Sequence, residues 1–285
     1  MPLASIKFAP GFDKQSTSYG AEGKWIDGEN VRFRYGQPEK IGGWIDLTND
    51  LLIGAVRDQH GWTSLDGTRH LALGTDKKLY LYVEGAVADI TPLRATQANL
   101  TNPFVTTSGS PIVTVTDAGH GASVGDFVTF SNAAAVGGLD MNAEFEVTSV
   151  TDANNYVVTQ SSNASGSTSG GGGTGNINYQ ISIGPDASVY GYGWGIGTWN
   201  TSTWNTPRST STVTLDGRNW SFDNFGEDLI ATVHKGGTFR WDTSAGLSTR
   251  AAVISAAPTN SRFNLVSMPD RHIFLFGTET IIGNT

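Results

Sequence analysis

Arg69-His70-Leu71-Ala72-Leu73-Gly74-Thr75, a turn at Asp76-Lys77-Lys78, then Leu79-Tyr80-Leu81-Tyr82: this stretch decides the fold, because its pattern comes back. Glu227-Asp228-Leu229-Ile230-Ala231-Thr232-Val233 is followed by Lys235-Gly236-Gly237 and Phe239-Arg240-Trp241. A third copy begins at Arg271-His272-Ile273-Phe274-Leu275-Phe276-Gly277-Thr278. Each copy reads as an apolar inner strand, a tight turn and an alternating outer strand. An aromatic strand precedes the first two copies, at Trp62 and at Trp220-Ser221-Phe222, and Phe263 with Leu265 holds the same place in the third. Small antiparallel sheets repeated in this way predict a β-propeller. A closed propeller has about 4 to 8 blades, and three are readable here. A partial propeller is therefore expected, with the chain a portion of a longer protein that breaks off in mid-repeat at Ile281-Ile282-Gly283-Asn284-Thr285.

The wider composition agrees with an all-β fold. Among 285 residues there are 36 glycines, 13 phenylalanines, eight tyrosines and eight tryptophans, while charged residues make up 15%. Aromatic and β-branched residues suit a pleated surface and glycine suits turns with positive φ. No window sustains the i, i+3, i+4, i+7 apolar pattern of an amphipathic helix. Three regions follow: 1–98, an N-terminal arm and the first blade; 99–182, an inserted β domain; and 183–285, further blades. In the arm, Val31, Phe33 and Tyr35 alternate with Arg32 and Arg34, Gly36-Gln37-Pro38 reads as the turn, and Glu39–Trp44 as the returning strand. In the insert, Pro111–Val115, Phe127–Phe130, Phe145–Val150 and Tyr156–Thr159 have the spacing of a small β-sandwich or barrel. Ser161–Gly175, with Gly170 to Gly173 consecutive, reads as a flexible linker.

Several functional classes drop out. There is no cysteine, hence no disulfide framework and no thiolate metal site. The start, Met1-Pro2-Leu3-Ala4-Ser5-Ile6-Lys7, lacks the apolar run of a signal peptide, and no stretch reaches the roughly 18 apolar residues of a membrane span. Synthesis as a soluble protein in the cytoplasm is expected. Of the net charge of −8, residues 95–210 carry −6: Asp117, Asp126, Asp140, Glu144, Glu146, Asp152 and Asp186 against Arg208. Such a segment does not hold nucleic acid by phosphate neutralisation, which needs clustered Lys and Arg. Solubility is the ordinary explanation, and a surface that DNA passes without sticking is the sharper one.

The search for chemistry is largely negative, and neither an enzyme nor a cofactor is expected. His60, His70, His120, His234 and His272 are the only histidines, none with a second ligand at metal spacing. His70 and His272 hold equivalent places in the repeat, which favours a structural role. His120 with Asp126 resembles an acid/base pair, yet Gly-Asp before an apolar strand is common turn chemistry. Glu144 and Glu146 share a strand face, as glycosidase carboxylates do, but exposed glutamates two apart are commonplace. Asp140/Asn142 and Asp152/Asn154/Asn155 lack the spacing of a calcium loop and read as turns. Ser64–Thr68 and Thr214–Trp220 resemble the Asp-box turns of sialidases, each one residue short between Asp and Gly. Tyr190, Tyr192, Trp194, Trp199 and Trp204 form an aromatic run that either stacks on glycans or, as we favour, fills a blade or subunit interface.

Two longer stretches resemble the tail nozzle, or packaged-DNA stabilisation, proteins of short-tailed bacteriophages. One is Pro10-Gly11-Phe12-Asp13 with Trp25-Ile26-Asp27-Gly28-Glu29-Asn30-Val31-Arg32-Phe33-Arg34 and Pro38-Glu39-Lys40-Ile41-Gly42-Gly43-Trp44. The other runs Arg218-Asn219-Trp220-Ser221-Phe222-Asp223-Asn224-Phe225-Gly226-Glu227-Asp228-Leu229 and ends in Phe239-Arg240-Trp241-Asp242. The insert lies outside this shared core. Its Gly119-His120-Gly121 and Val124-Gly125-Asp126-Phe127-Val128 look like a small β domain of phage tail and fibre proteins. The resemblance implies a virion tail protein forming a hexameric tube below the portal and adaptor rings. Tail fibres or a needle would attach to that tube, and genomic DNA would pass its lumen without specific binding. It brings no catalytic residues. A glycan-recognising receptor-binding tail protein and a polysaccharide depolymerase are the alternatives.

Overall fold

The computed structural model describes residues 8–43, 45–184 and 217–278. The chain divides into two compact units, Met1–Asn49 and Asp50–Thr285. Among the described residues the secondary structure is strand throughout, apart from one short 3-10 turn at Thr243–Ala245.

In the first unit, β1 (Ala9–Phe12) lies parallel to β2 (Lys24–Trp25), and β3 (Val31–Arg34) forms a hairpin with β4 (Gln37–Lys40). Phe12 meets Phe33 edge-on at 5.3 Å, and Gly28 is required beside it: a Cβ there would lie 2.5 Å from the Phe12 ring. Asp13 accepts from Lys24 Nζ at 2.8 Å and from the Ser16 and Gln15 amides. The Lys24 ammonium, with those donors behind it, holds the Asp13 carboxyl well below the usual carboxylate range. The expected hairpin turn at Gly36-Gln37-Pro38 is corrected. Tyr35 (φ 50°) and Gly36 (φ 78°) make the turn, and Gln37 and Pro38 already belong to β4. Positive φ at both central residues is the mark of a type I′ two-residue hairpin loop. Pro38 sits in a two-stranded ribbon with free edges, where a missing N–H is tolerated.

The second unit contains the repeat. β5 (Val56–Thr63), β6 (Arg69–Thr75), β7 (Leu79–Val83) and β8 (Ala86–Asp89) form a four-stranded antiparallel sheet in sequence order. The chain then leaves this blade. β9 (Leu93–Leu100), β10 (Phe104–Thr106), β11 (Ile112–Thr116), β12 (Phe127–Ser131), β13 (Glu144–Asp152), β14 (Asn155–Thr159), β15 (Thr168–Gly170) and β16 (Gly175–Gln180) build one eight-stranded curled half-barrel. The curl comes from β13: its first residues pair with β12, its later ones with β14, and the register shifts between Val147 and Ser149. Alternate residues point inward, so that Phe104, Val113, Val115, Val128, Phe130, Val147, Tyr156, Val158, Ile177 and Tyr179 form one core. Chain entry and exit are adjacent, since the Ile181 amide donates to the Pro92 carbonyl at 3.0 Å.

This sheet begins at Leu93, ahead of the boundary expected at 99. Leu93-Arg94-Ala95-Thr96-Gln97-Ala98-Asn99-Leu100 is an exposed edge strand without the apolar alternation that marks a strand in sequence. The tract Ser161–Gly175 is not a linker, which corrects the expectation of one. It supplies β15, which pairs with β10, and Gly171 (φ 114°) packs where a Cβ would lie 2.6 Å from Phe104. Its glycines meet the needs of tight packing and positive φ.

Beyond the insert, β17 (Trp220–Phe225), β18 (Asp228–Val233), β19 (Thr238–Trp241) and β20 (Ala252–Val253) form a second four-stranded blade in the order of the first. β21 (Phe263–Val266) and β22 (Ile273–Phe276) form a two-stranded sheet at the third copy of the repeat. The first two blades share a core: Ala72, Leu79, Leu81 and Val83 from one, Trp220, Leu229, Ala231, Val233, Phe239 and Trp241 from the other. The fold is an all-β partial propeller carrying an inserted small β domain.

Gly74 lies at a close approach between the first two blades. A Cβ there would lie 2.5 Å from Trp220 Cδ1 and 2.8 Å from Phe222 Cζ. Gly74→Ala is therefore expected to cost about 2 kcal/mol by overpacking, measured by denaturant unfolding. A neutral result would mean the two blades are further apart than described.

Candidate functional site

A polar cluster in the second unit joins the insert to the first blade. Its anchor is the turn between β6 and β7. Thr75 Oγ1 accepts from the Lys78 amide at 2.7 Å and from the Lys77 amide at 3.2 Å, which fixes where both lysines start. Lys78, 2% exposed, donates from Nζ to Asp89 Oδ2 at 2.8 Å and to Glu144 of the insert, and lies 4.8 Å from the centre of the Phe127 ring. Lys77 Nζ reaches Glu146 at 2.9 Å. Gln180 Nε2 donates to the other Glu144 oxygen at 2.6 Å, and Arg250 Nη1 bridges the Thr91 carbonyl and Asp89. The strand period explains the gathering. Phe127 pairs with Glu146 and Thr129 with Glu144, so all four project from the sheet face opposite the insert's core.

Electrostatics at the joint follow from this geometry. Burial pushes the Asp89 carboxyl upward, but the charges of Lys78 and Arg250 outweigh it, and the group lies below its ordinary value. Tyr80, which accepts from the Ile53 amide through its hydroxyl at 3.0 Å, is pushed up to about 12 by burial. Lys78 has its ammonium enclosed by two carboxylates and a ring. The cluster orients one domain on another. Glu146 is exposed, as expected, while Glu144 is half-buried, and each is ion-paired with a lysine of the first blade.

No family model matches the sequence, and no curated protein matches it. Among solved structures, a chain of the phage phi92 endosialidase superposes with a TM-score of 0.27 at 16% identity, over 78% of this chain and 32% of that one. This chain thus spans about a third of the length of that structure. At that score the superposition carries no argument about fold or activity.

The remaining sequence candidates fall into place individually. Tyr190, Tyr192, Trp194, Trp199 and Trp204 lie outside the described residues. His120 donates from Nε2 to the Asp152 carbonyl at 3.0 Å and accepts the Ala122 amide on Nδ1 at 2.9 Å, while Asp126 takes the Ser123 amide. Both ring nitrogens are thus engaged away from Asp126. His70 is buried, stacked on Trp62 at 5.0 Å, with Nδ1 3.1 Å from Ser64 Oγ; His272, expected to be its equivalent, is exposed. Asp66 closes the Ser64–Thr68 turn by accepting the Thr68 amide at 2.9 Å. Asp140 and Asp152 accept the amides of Asn142 and Asn154, which lowers both carboxyls. Among the described residues no three His, Asp or Glu side chains converge as a metal site.

The acidic excess of the insert also changes meaning. Asp117 is buried and accepts the Tyr179 hydroxyl at 2.6 Å, Asp126 is buried as a turn cap, and Glu144 and Glu146 are paired with lysines. Of the described acids in that segment, Asp140 and Asp152 stand in solvent without a cationic partner. An extended DNA-repelling surface does not emerge from these residues.

The signature residues around the second blade are spent on joints between blades. Asn224 Oδ1 bonds His60 Nε2, and the Glu227 carbonyl accepts Trp62 Nε1 at 2.9 Å. The Glu227 carboxylate accepts the Leu65 amide. On the opposite face, Ser221 Oγ donates to Asn264 at 2.7 Å and Asp223 accepts the Val266 amide at 2.6 Å. One strand, β17, thus faces both neighbours with alternate residues.

Proposed function

We propose that this protein is a structural component of a bacteriophage tail, a nozzle subunit that closes the DNA exit channel and lets DNA pass on infection. The observation that carries the proposal is the use of the signature residues. Trp220, Asn224, Glu227, Ser221 and Asp223 hold blade to blade, their polar groups engaged in those joints. A scaffold whose polar side chains are consumed in joints suits a ring built for enclosure. We assign it no enzymatic activity and no cofactor. Six copies would form the ring, an adaptor would sit above, fibres or a needle would attach outside or below, and the host cytoplasm would be the place of synthesis. DNA would move through without being held. Lys77 and Lys78 already have carboxylate partners, and the chain carries a net −8.

The purified protein is expected to bind nothing specifically on a glycan array and to leave surface polysaccharide of the host intact. Specific glycan binding that disappears in Trp199→Ala would replace this reading with a receptor-binding tail protein. Polysaccharide turnover abolished by Glu144→Gln would replace it with a depolymerase.

A further inference from the structure

The sequence holds three Asp-Gly steps, at Asp27-Gly28, Asp66-Gly67 and Asp216-Gly217, and Asp216 lies outside the described residues. An aspartate before glycine can rearrange, because no Cβ on the glycine shields its amide nitrogen from the preceding carboxyl group. In the neutral acid the nitrogen bonds to the side-chain carbonyl carbon, and the hydroxyl leaves as water with the amide proton. A succinimide ring results. Water then adds at either carbonyl and opens the ring. Opening at the side-chain carbonyl restores aspartate, whereas opening at the main-chain carbonyl leaves isoaspartate, with the backbone routed through Cβ and Cγ. The water lost in the first step is regained in the second, so solvent is the sole reagent.

Folding treats the two described steps differently. At the first, the Gly28 amide donates to Asp27 Oδ1 at 2.9 Å, so the nitrogen already lies against the carboxyl group it attacks. Lys14 Nζ sits 3.2 Å from the same oxygen, where its charge stabilises the oxyanion that develops during attack. Asp27 and Gly28 are exposed, in the irregular stretch between β2 and β3, where water reaches the ring. At the second step the Gly67 amide is turned to the Ser64 carbonyl at 3.0 Å, and the Asp66 carboxylate accepts the Thr68 amide at 2.9 Å. Nucleophile and carboxyl group are each tied elsewhere.

We propose that Asp27 is a site of spontaneous isomerisation to isoaspartate, and that Asp66, in the same dipeptide, is protected by its turn. The change bears on the arm, because Gly28 lies where a Cβ would come within 2.5 Å of the Phe12 ring, and Phe12 in turn packs on Phe33. An extra methylene in the main chain just before Gly28 disturbs that packing. The inference stands on local geometry and is independent of the tail assignment.

The full chain, kept warm at neutral pH over several weeks, is digested and mapped by mass spectrometry with electron-transfer fragmentation, which separates isoaspartate from aspartate by where the backbone breaks. Isoaspartate at position 27 is expected to exceed that at position 66 at least about tenfold, since small displacements of reacting atoms change rates by factors of this size and more. The same chain kept in guanidinium is the control, and there the two steps should isomerise at comparable rates. Gly28→Ala would clash with Phe12, so the variant of choice is Asp27→Glu. It keeps the charge facing Lys14 but would have to close a larger ring, and it should leave no rearranged product at this position. Absence of isoaspartate at position 27 in the folded chain would overturn the proposal. So would an equal ratio of the two sites with and without guanidinium, because the dipeptide would then react without help from the fold.

Discussion

Lys78→Ala is expected to destabilise the Asp50–Thr285 unit by about 3 kcal/mol, lowering its melting temperature by roughly 6–12 °C. The ammonium is 2% exposed and sits between Asp89 and Glu144. Removing it leaves two carboxylates facing each other in a partly dehydrated joint, and breaking a buried pair typically costs ~3–5 kcal/mol. The lower end applies because the carboxylates are themselves about a quarter exposed, at 23% and 26%, and recover some hydration. Combining Lys78→Met with Glu144→Gln should cost less than the two single changes added together, by about 1–2 kcal/mol. The pH dependence gives a second readout. The folded Asp89 carboxyl lies below its unfolded value of 3.8, so its contribution is present above about pH 4 and is lost as pH falls below that. The penalty of Lys78→Ala should therefore shrink in acid. A penalty constant from pH 7 to pH 3 would mean that the lysine acts through packing of its methylene stem alone.

Trp220→Ala is expected to cost about 3–5 kcal/mol. The ring is 3% exposed, stacks on Phe222 at 5.9 Å, and donates from Nε1 to the Thr75 carbonyl at 2.9 Å. Truncation opens a cavity between blades and orphans that carbonyl together. Trp220→Phe keeps most of the volume and loses the bond, so about 1–2 kcal/mol is expected. Hydrogen exchange distinguishes a joint from a local defect. Amides of β6 and β17 should lose protection together in Trp220→Ala, since the ring belongs to one blade and its partner to the other. Loss confined to β17 would contradict a shared core.

Why some of this was legible in the sequence and some not has a physical explanation. The repeat is legible because its copies keep an apolar inner strand, a tight turn and an alternating outer strand, and β6–β7 and β18–β19 fall where Arg69–Tyr82 and Glu227–Trp241 place them. Hairpin boundaries were less legible. Pro38 reads as a turn residue, while the loop is set by positive φ at Tyr35 and Gly36, and tyrosine gives no sign of that conformation. The Ser/Gly tract carries the composition of a linker, yet glycine also answers to close packing, as at Gly171 against Phe104. The joint was the least visible feature. Lys77 and Lys78 look like solvated turn residues, and their partners Glu144 and Glu146 lie 66 and 69 positions away in an inserted domain. No local pattern announces an ion pair of that span. The acidic residues of the insert are plain in the sequence, but their number does not tell Asp117 in a core from Asp140 in solvent.

The proposed tail role is tested most directly by cryo-electron microscopy of the phage particle in which the proposal places this chain, with the chain fitted through its two four-stranded blades and half-barrel insert. A six-fold ring on the tail axis, below the adaptor and enclosing the DNA channel, is the predicted result. A trimer at the tail periphery, or density for this chain outside the tail altogether, would contradict it.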